Sequence, residues 1–277
     1  FAQNFSSIAT PPPRIYGLTR NLEQVTQLKA AGIHPVVLDL DQLSSAQLDA
    51  TGLHNAVLYY FAPPPPHGDS DTRIERFLHA LPALPHTLIQ ISTTGVYGNT
   101  HGAWVNETSP VHPDTPRAQR RLSAERIAEA WCTARGIRHV ILRVPAIYGP
   151  NRLPLARLQA GEPVIQASQS PFVNRIHIDD LVSICLTAAI KTELHGVYNV
   201  SDGNAMTMTE YLQLVARLAH LPMPKEISIE EARQCLSPEF MSYMNESRRV
   251  DNSKLLREFD LQLRYADAEK GISYCLN

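Results

Sequence analysis

Cysteine is scarce in this chain: Cys132, Cys185, Cys235 and Cys275 are widely scattered among 277 residues, with no C-x-x-C pair and no clustered histidine. That pattern offers neither a zinc site nor a thioredoxin-like motif, and predicts buried free thiols. Long apolar runs are also missing. None approaches the roughly 18 residues that cross a bilayer, and FAQNFSSIATPPPR at the start lacks the basic region and apolar core of a signal peptide. A cytoplasmic chain with no membrane partner is expected. Charge of one sign is lacking too: the formal net charge is −2 and the pI about 6.6, which gives no electrostatic reason to expect nucleic acid or an anionic membrane. A small-molecule ligand is the default, and no internal repeat of the solenoid kind interrupts the chain.

With 44% hydrophobic and 19% charged residues, the chain is long enough for one large domain or two smaller ones. Its first half alternates short apolar runs with helix-like segments, the pattern of βαβ units around a parallel sheet. RIYGLT, PVVLDL, AVLYYFA and TLIQIST read as strands. The first leads into a helix ending at Ala31-Gly32, DQLSSAQLDAT reads as a second helix, PPPPHGDSD as an irregular connection, and RIERFLHAL as a helix. A further helix opens with Thr115 as its N-cap and Pro116 in first position, and Gly136 lies beyond its end. HVILRVPAIYGP then reads as strand plus loop. After Gly161 the segments become short and mixed: NRIHIDD, a helix LVSICLTAAI, a strand GVYNVSD and a helix around MTEYLQLVARLAHL.

The expected fold is α/β, a Rossmann-like doubly wound parallel sheet with a smaller mixed C-terminal substrate lobe. Residues 1–165 are assigned to the first part and 166–277 to the second, with about 178–200 packing back on the sheet. A doubly wound domain requires a first strand, a Gly-rich turn and a helix before RIYGLT. Residues 1–13 supply only part of that helix, and no GxGxxG occurs in the sequence, so the first strand and its Gly-rich loop are expected to be absent from this chain.

Four stretches in order, ISTTGVYG, NETSPVHPDTPRAQRRLSAE, LRVPAIYGP and NRIHIDDL, resemble the extended short-chain dehydrogenase/reductases, the NAD-dependent epimerase/dehydratase family. The likeness runs from about Arg14 to Asp202 and continues in YNVSDGNAMTMTEY. It implies an NAD(P)-dependent epimerase or reductase of atypical kind, acting on a small polar substrate such as a sugar nucleotide, and it allows a homodimer. In that family a Thr near the end of a strand hydrogen-bonds the reacting substrate oxygen; Thr93 stands there, between Ser92 and Thr94. A hydroxyl both donates and accepts, which suits an oxygen alternating between carbonyl and alcohol. The alternative is that Thr93 only caps the strand end.

The family's general acid/base is a Tyr four residues before a Lys, usually in P-x-S-P-Y-x-x-x-K-x-x-x-E. The same frame here reads Pro113, Thr115, Pro116, Arg117, Arg121 and Glu125. Arg117 therefore falls at the Tyr position and Arg121 at the Lys position. A guanidinium keeps its proton at any ordinary pH, so Arg117 is no substitute for the tyrosine, whereas Arg121 retains the means to bind a ribose or phosphate. Two alternatives stay open: Arg117, Arg121, Glu125 and Glu129 as a solvated ion-pair ladder on a helix surface, or a non-catalytic dinucleotide-binding or sensing protein of the same fold. Tyr97, Tyr148, His101 and His177 are the other candidates for proton chemistry.

For the cofactor, RIYGLTRN ends in Arg20 with no carboxylate nearby, which favours NADP over NAD; an exposed helix-start cation is the plain alternative. The resemblance places Asp39 and Leu40 against the adenine, Ala62 and Pro63 along the cofactor with Ser92, and Pro145, Ala146 and Ile147 against the nicotinamide. Asp39 as a helix cap and the apolar positions as ordinary core are the alternatives. Thr94, Tyr97, Asn174, Arg175 and His177 would contact substrate, unless Arg175 pairs with Asp179-Asp180 in a salt bridge. Sugar dehydratases of the family follow the Thr with Asp-Glu. Thr94 and Gly95 stand there instead, which disfavours dehydration.

Overall fold

A computed structural model describes residues 13–43, 48, 53–237, 240–241 and 244–277. The helix expected in DQLSSAQLDAT and the partial helix expected before Arg14 lie largely outside these residues. Strands β1 (Tyr16–Thr19), β3 (Val57–Tyr60) and β4 (Thr87–Thr93) fall within their apolar runs and β2 (His34–Val37) overlaps PVVLDL, starting one residue earlier and ending before Leu38, with helix α1 (Gln24–Ala30) between the first two and α2 (Thr72–Ala80) before the fourth. A two-residue strand β5 (Trp104–Val105) is followed by the long helix α3 (Pro116–Thr133) and by β6 (Arg138–Val144).

The fold is Rossmann-like α/β. β1 and β2 pair in parallel, as do β3 and β4, and β3, β4 and β6 belong to one four-stranded sheet that ends on Gly196–Asn199. In the doubly wound order 3-2-1-4-5-6, these are the 3-2 and 4-5-6 portions. Among the described residues, no strand pairs with both β1 and β3.

The chain divides into two compact units, one of residues 1–91, 119–141 and 185–196, the other of 92–118, 142–184 and 197–277. In the first, α2 explains itself. Asp71 caps it by accepting from the Arg73 and Ile74 amides, and Ile74, Phe77 and Leu78, spaced for one helical face, are buried beside Leu88 of β4. Ala124, Ala128 and Trp131 of α3 join the same core. Each such large apolar side chain, once buried, contributes roughly 1.5–3 kcal/mol relative to exposure. The end of the 178–190 helix and the turn after it are held by Arg138, whose Nη1 donates to the carbonyls of Ala188, Lys191 and Leu194.

In the second unit, the expected loop after β6 contains a further strand, β7 (Ala146–Tyr148), paired in parallel with Arg175–His177. Pro145 removes one backbone donor and breaks the run, so two strands occupy what reads as one. Helix Met208–Leu218 starts with a reciprocal capping box, Thr207 Oγ1 accepting from the Glu210 amide and Glu210 Oε2 from the Thr207 amide. Thr207→Ala is expected to cost about 1 kcal/mol, read as a lower urea midpoint at unchanged slope. Thr115, by contrast, does not cap α3 with its side chain. Its carbonyl accepts from Ala118 while its hydroxyl is buried with no hydrogen-bond partner among the described residues. Of the four free thiols expected to be buried, Cys132 and Cys185 are, Cys275 is half-buried and Cys235 is exposed.

Candidate functional site

In the first unit, the residues following β2 and β3 are stitched together by arginines of α2. Arg73 grips Asp41 through Nε and Nη2, both at 2.6 Å, and its Nη1 donates to the Pro63 and Pro64 carbonyls at 3.0 and 3.2 Å. Prolines bring carbonyls without amide donors, so a cation among them satisfies acceptors that the local backbone cannot. The Arg73 hydrogen bonds hold the Asp41 carboxyl below its ordinary range, with Arg20 and Arg76 adding to the field. Arg76 Nη1 donates to the Leu40 and Asp41 carbonyls, and the Asp39 carboxylate accepts from the Asp41 amide. Asp39 thus closes a local turn. Arg20 is exposed at the end of β1.

Arg121 reaches from α3 to strand ends of the same unit. Its Nη1 donates to the Ala62 carbonyl beyond β3 and to the Ile91 carbonyl in β4, each at 3.2 Å. Burial pushes its pKa down, while Asp71 and Tyr60 push the other way, and a guanidinium stays cationic at any ordinary pH. Burial raises the Asp71 carboxyl against the lowering effect of the Ile74 and Arg73 amides and of Arg121. Asp71 Oδ2 and the Tyr60 hydroxyl are buried with no hydrogen-bond partner among the described residues. The neighbouring Arg120 donates to the Gly68 carbonyl, and Ser123 bonds Ser70. Glu125 is only 3% exposed, so a solvated ladder along α3 does not describe these charges.

In the second unit, β4 runs into a 3-10 turn, Thr94–Tyr97. Thr93 Oγ1 accepts from the Gly95 amide at 3.1 Å, which leaves its own O–H to donate. Ser92 and Thr94 are buried. Tyr97 is buried as well, its hydroxyl donating to Asn199 Oδ1 at 2.8 Å under the Arg143 guanidinium, so its phenol is engaged in the core. The turn closes at Gly98, with φ 69° and ψ −158°. Arg248 Nε donates to the Gly98 carbonyl and Arg248 Nη2 contacts Glu246 Oε2. Glu246 Oε1 faces Arg117 Nη2 at 3.7 Å.

The β7 ladder brings Ala146, Ile147 and Tyr148 opposite Arg175, Ile176 and His177, so two of the sequence stretches meet; Pro145 and Ile147 are half-buried and Ala146 is exposed. Asn174 is tied to backbone: its Nδ2 donates to the Arg248 carbonyl and its Oδ1 accepts from the Val250 amide. Arg175 is buried with its guanidinium 3.3 Å from the Tyr211 ring centre, and burial lowers its pKa to about 10. Asp180 accepts from the Arg264 and Tyr265 amides, and the Asp179 amide donates to His177 Nδ1, so this region is not the simple Arg175 to Asp179-Asp180 bridge. The His177 ring is fully buried among Tyr148, Tyr265 and Tyr274, and burial lowers its pKa. Tyr148 is buried against Gly271. Glu246, Arg248 and Asp71 are neighbours of the predicted positions that no motif flags in the sequence; the conspicuous signal near the first two is the RRVD charge cluster.

Parallel strands alternating with helices, with polar groups gathered where β2, β3 and β4 end, define a Rossmann-like α/β protein. Residues 73–201, somewhat under half of the chain, match the NAD dependent epimerase/dehydratase family. It is similar to a dTDP-glucose 4,6-dehydratase of Streptomyces griseus, 26% identical over 48% of this chain and 43% of the relative. It is also similar to a GDP-6-deoxy-D-mannose reductase of Pseudomonas aeruginosa, 27% identical over 53% of each. The matches thus span about half the length of these curated relatives. Among solved structures, a conserved protein of unknown function from Silicibacter pomeroyi is 26% identical with a TM-score of 0.79, covering 99% of this chain and 94% of the other. UDP-glucuronic acid 4-epimerase from Bacillus cereus, in complex with NAD, shares the fold at 16% identity and a TM-score of 0.74, covering 94% and 88%. No helix among the described residues is long and apolar enough to cross a membrane.

Proposed function

We propose that the protein is an NAD(P)-dependent epimerase or carbonyl reductase acting on a nucleotide sugar, with arginines in place of the usual Tyr/Lys pair. The observation that carries this reading is Arg121, anchored by Nη1 between the Ala62 and Ile91 carbonyls. Its Nε and Nη2 make no hydrogen bond to any described residue, so donors remain for vicinal hydroxyls such as those of a ribose. That donor set fits the nicotinamide ribose; no GxGxxG is present for the pyrophosphate.

On this reading Arg20, Asp39, Leu40, Ala62, Pro63 and Arg121 hold the dinucleotide in the first unit. The bound cofactor supplies hydride chemistry. Thr93 orients the reacting oxygen by donating its hydroxyl hydrogen, and Thr94, Asn174 and Arg175 shape the substrate side. Arg20, exposed and within the field of Asp41, favours the extra phosphate of NADP. Titration with NADP is expected to give tighter binding than NAD. Thr94 and Gly95 in place of an acid pair favour epimerisation or reduction over dehydration.

The protein incubated with NAD or NADP and UDP-glucuronic acid, UDP-N-acetylglucosamine or dTDP-glucose is expected to yield a new nucleotide sugar, read by chromatography. Arg117 at the tyrosine position supports a second reading, a dinucleotide-binding protein without turnover. Saturable cofactor binding with every sugar unchanged is its signature.

A further inference from the structure

We propose that the second unit binds a planar aromatic carboxylate in the cavity lined by Trp104, Gly203, Asn204, Ala205, Met206 and Arg249. The cavity measures about 380 Å3, within the roughly 300–1,000 Å3 of small-molecule sites. The inference is independent of the nucleotide-sugar reading, because it uses none of the residues assigned to the dinucleotide or the reacting oxygen.

Strand alternation builds one wall. β5 pairs in parallel with Arg249–Val250, which sets Trp104 opposite Arg249 and Val105 opposite Val250. Val105 and Val250 are buried, so alternation turns Trp104 and Arg249 to the other face, where Trp104 is 54% exposed. Arg248, one residue earlier, is buried and holds the Gly98 carbonyl. The two consecutive arginines therefore serve different faces, and only the second borders the cavity.

The Arg249 guanidinium is held in place by the protein itself. Its Nε donates to the Gly102 carbonyl at 2.6 Å, and it lies over the Trp104 and Phe172 rings, 5.3 and 4.8 Å from their centres. Gly102 is anchored in turn, its amide donating to the Ser247 carbonyl at 3.0 Å. Arg249 Nη1 and Nη2 donate to no described residue. The end of the guanidinium that grips a carboxylate through two parallel bonds is thus open. The facing wall is fixed as well. Asp202 Oδ1 accepts from the Asn204 amide at 2.9 Å, Asn204 Nδ2 donates to the Ala266 carbonyl, and Met206 pairs with Val173. A cation and wall set in advance reduce the ordering cost of binding.

Charge and shape select the ligand. Arg249 is the one charged residue of the lining, so the cavity compensates a single negative charge. That matches a carboxylate and leaves a phosphate dianion undercompensated. The exposed indole supplies the surface on which a ring stacks.

The chain has two tryptophans, Trp104 and the buried Trp131, so its 1H–15N spectrum carries two indole N–H signals, told apart by Trp104→Phe. Titration with benzoate or 2-naphthoate is expected to move the Trp104 signal saturably and to leave the Trp131 signal in place. Benzamide, which keeps the ring and loses the charge, is expected to bind at least about tenfold more weakly than benzoate, and UMP likewise. Arg249→Lys keeps the charge without the fork and is expected to weaken benzoate binding about tenfold. A Trp104 signal unmoved by either acid, benzamide or UMP binding as tightly as benzoate, or undiminished affinity in Arg249→Lys overturns the proposal. The benzamide comparison is made on the unsubstituted chain, so it decides the matter even where Arg249→Lys fails to fold.

Discussion

Gly98→Ala is expected to destabilise the protein by about 3 kcal/mol, the combined scale of backbone strain and overpacking. With φ 69° and ψ −158°, Gly98 occupies a region that residues with a Cβ essentially never adopt. A Cβ built there would lie 2.0 Å from the His112 carbonyl oxygen and 2.8 Å from Asp114 Oδ2. Neither neighbour yields cheaply: the first is backbone, and the second accepts from the Asn99 amide at 2.7 Å. Because the Gly98 carbonyl is also the acceptor for Arg248, the turn cannot open without disturbing the Glu246 contact. Guanidinium unfolding measures the effect, and a midpoint equal to that of the unsubstituted chain would contradict the turn geometry.

Thr93→Val should lower kcat about a hundredfold, the scale seen when one donor to a developing oxyanion is removed. Valine keeps the shape of threonine but loses the hydroxyl, so the fold loses only the bond from the Gly95 amide, about 1 kcal/mol. Thr93→Ser keeps a hydroxyl and is expected to keep most of the rate. Steady-state kinetics separates the two functions: a fall in kcat at steady KM marks a group acting on the reacting oxygen, whereas an unchanged kcat in Thr93→Val returns Thr93 to the role of a strand-end cap.

Local signals made much of the fold legible. β4 and β6 are short apolar runs bounded by turn residues, and α3 ends before Gly136, whose φ of 64° suits a helix terminus. The arginines were harder, because helical spacing gives a face and not a destination. Three cations within five positions go three ways: Arg117 to Glu246, Arg120 to the Gly68 carbonyl, Arg121 to strand-end carbonyls. α3 buries Ala118, Leu122 and Glu125 as well as Ala124, Ala128 and Trp131, so its contacts run round more than one face. Tyr97 is a candidate for proton chemistry by its motif alone, and its partner Asn199, which ties up the phenol, lies 102 residues away. Glu246 sits in a polar stretch with no motif, and only long-range folding places it beside Arg117. Strand β7 hid behind Pro145 because its hydrogen bonds go to Arg175–His177, well downstream.

The central claim, that this chain grips a nicotinamide dinucleotide through Arg121, is tested most directly by calorimetric titration of NADP and NAD into the protein and into Arg121→Ala. Saturable binding that weakens at least about tenfold in the variant, the scale of one lost charge-assisted hydrogen bond, is the predicted result. No heat of binding with either dinucleotide, or equal affinity in the variant, would contradict it.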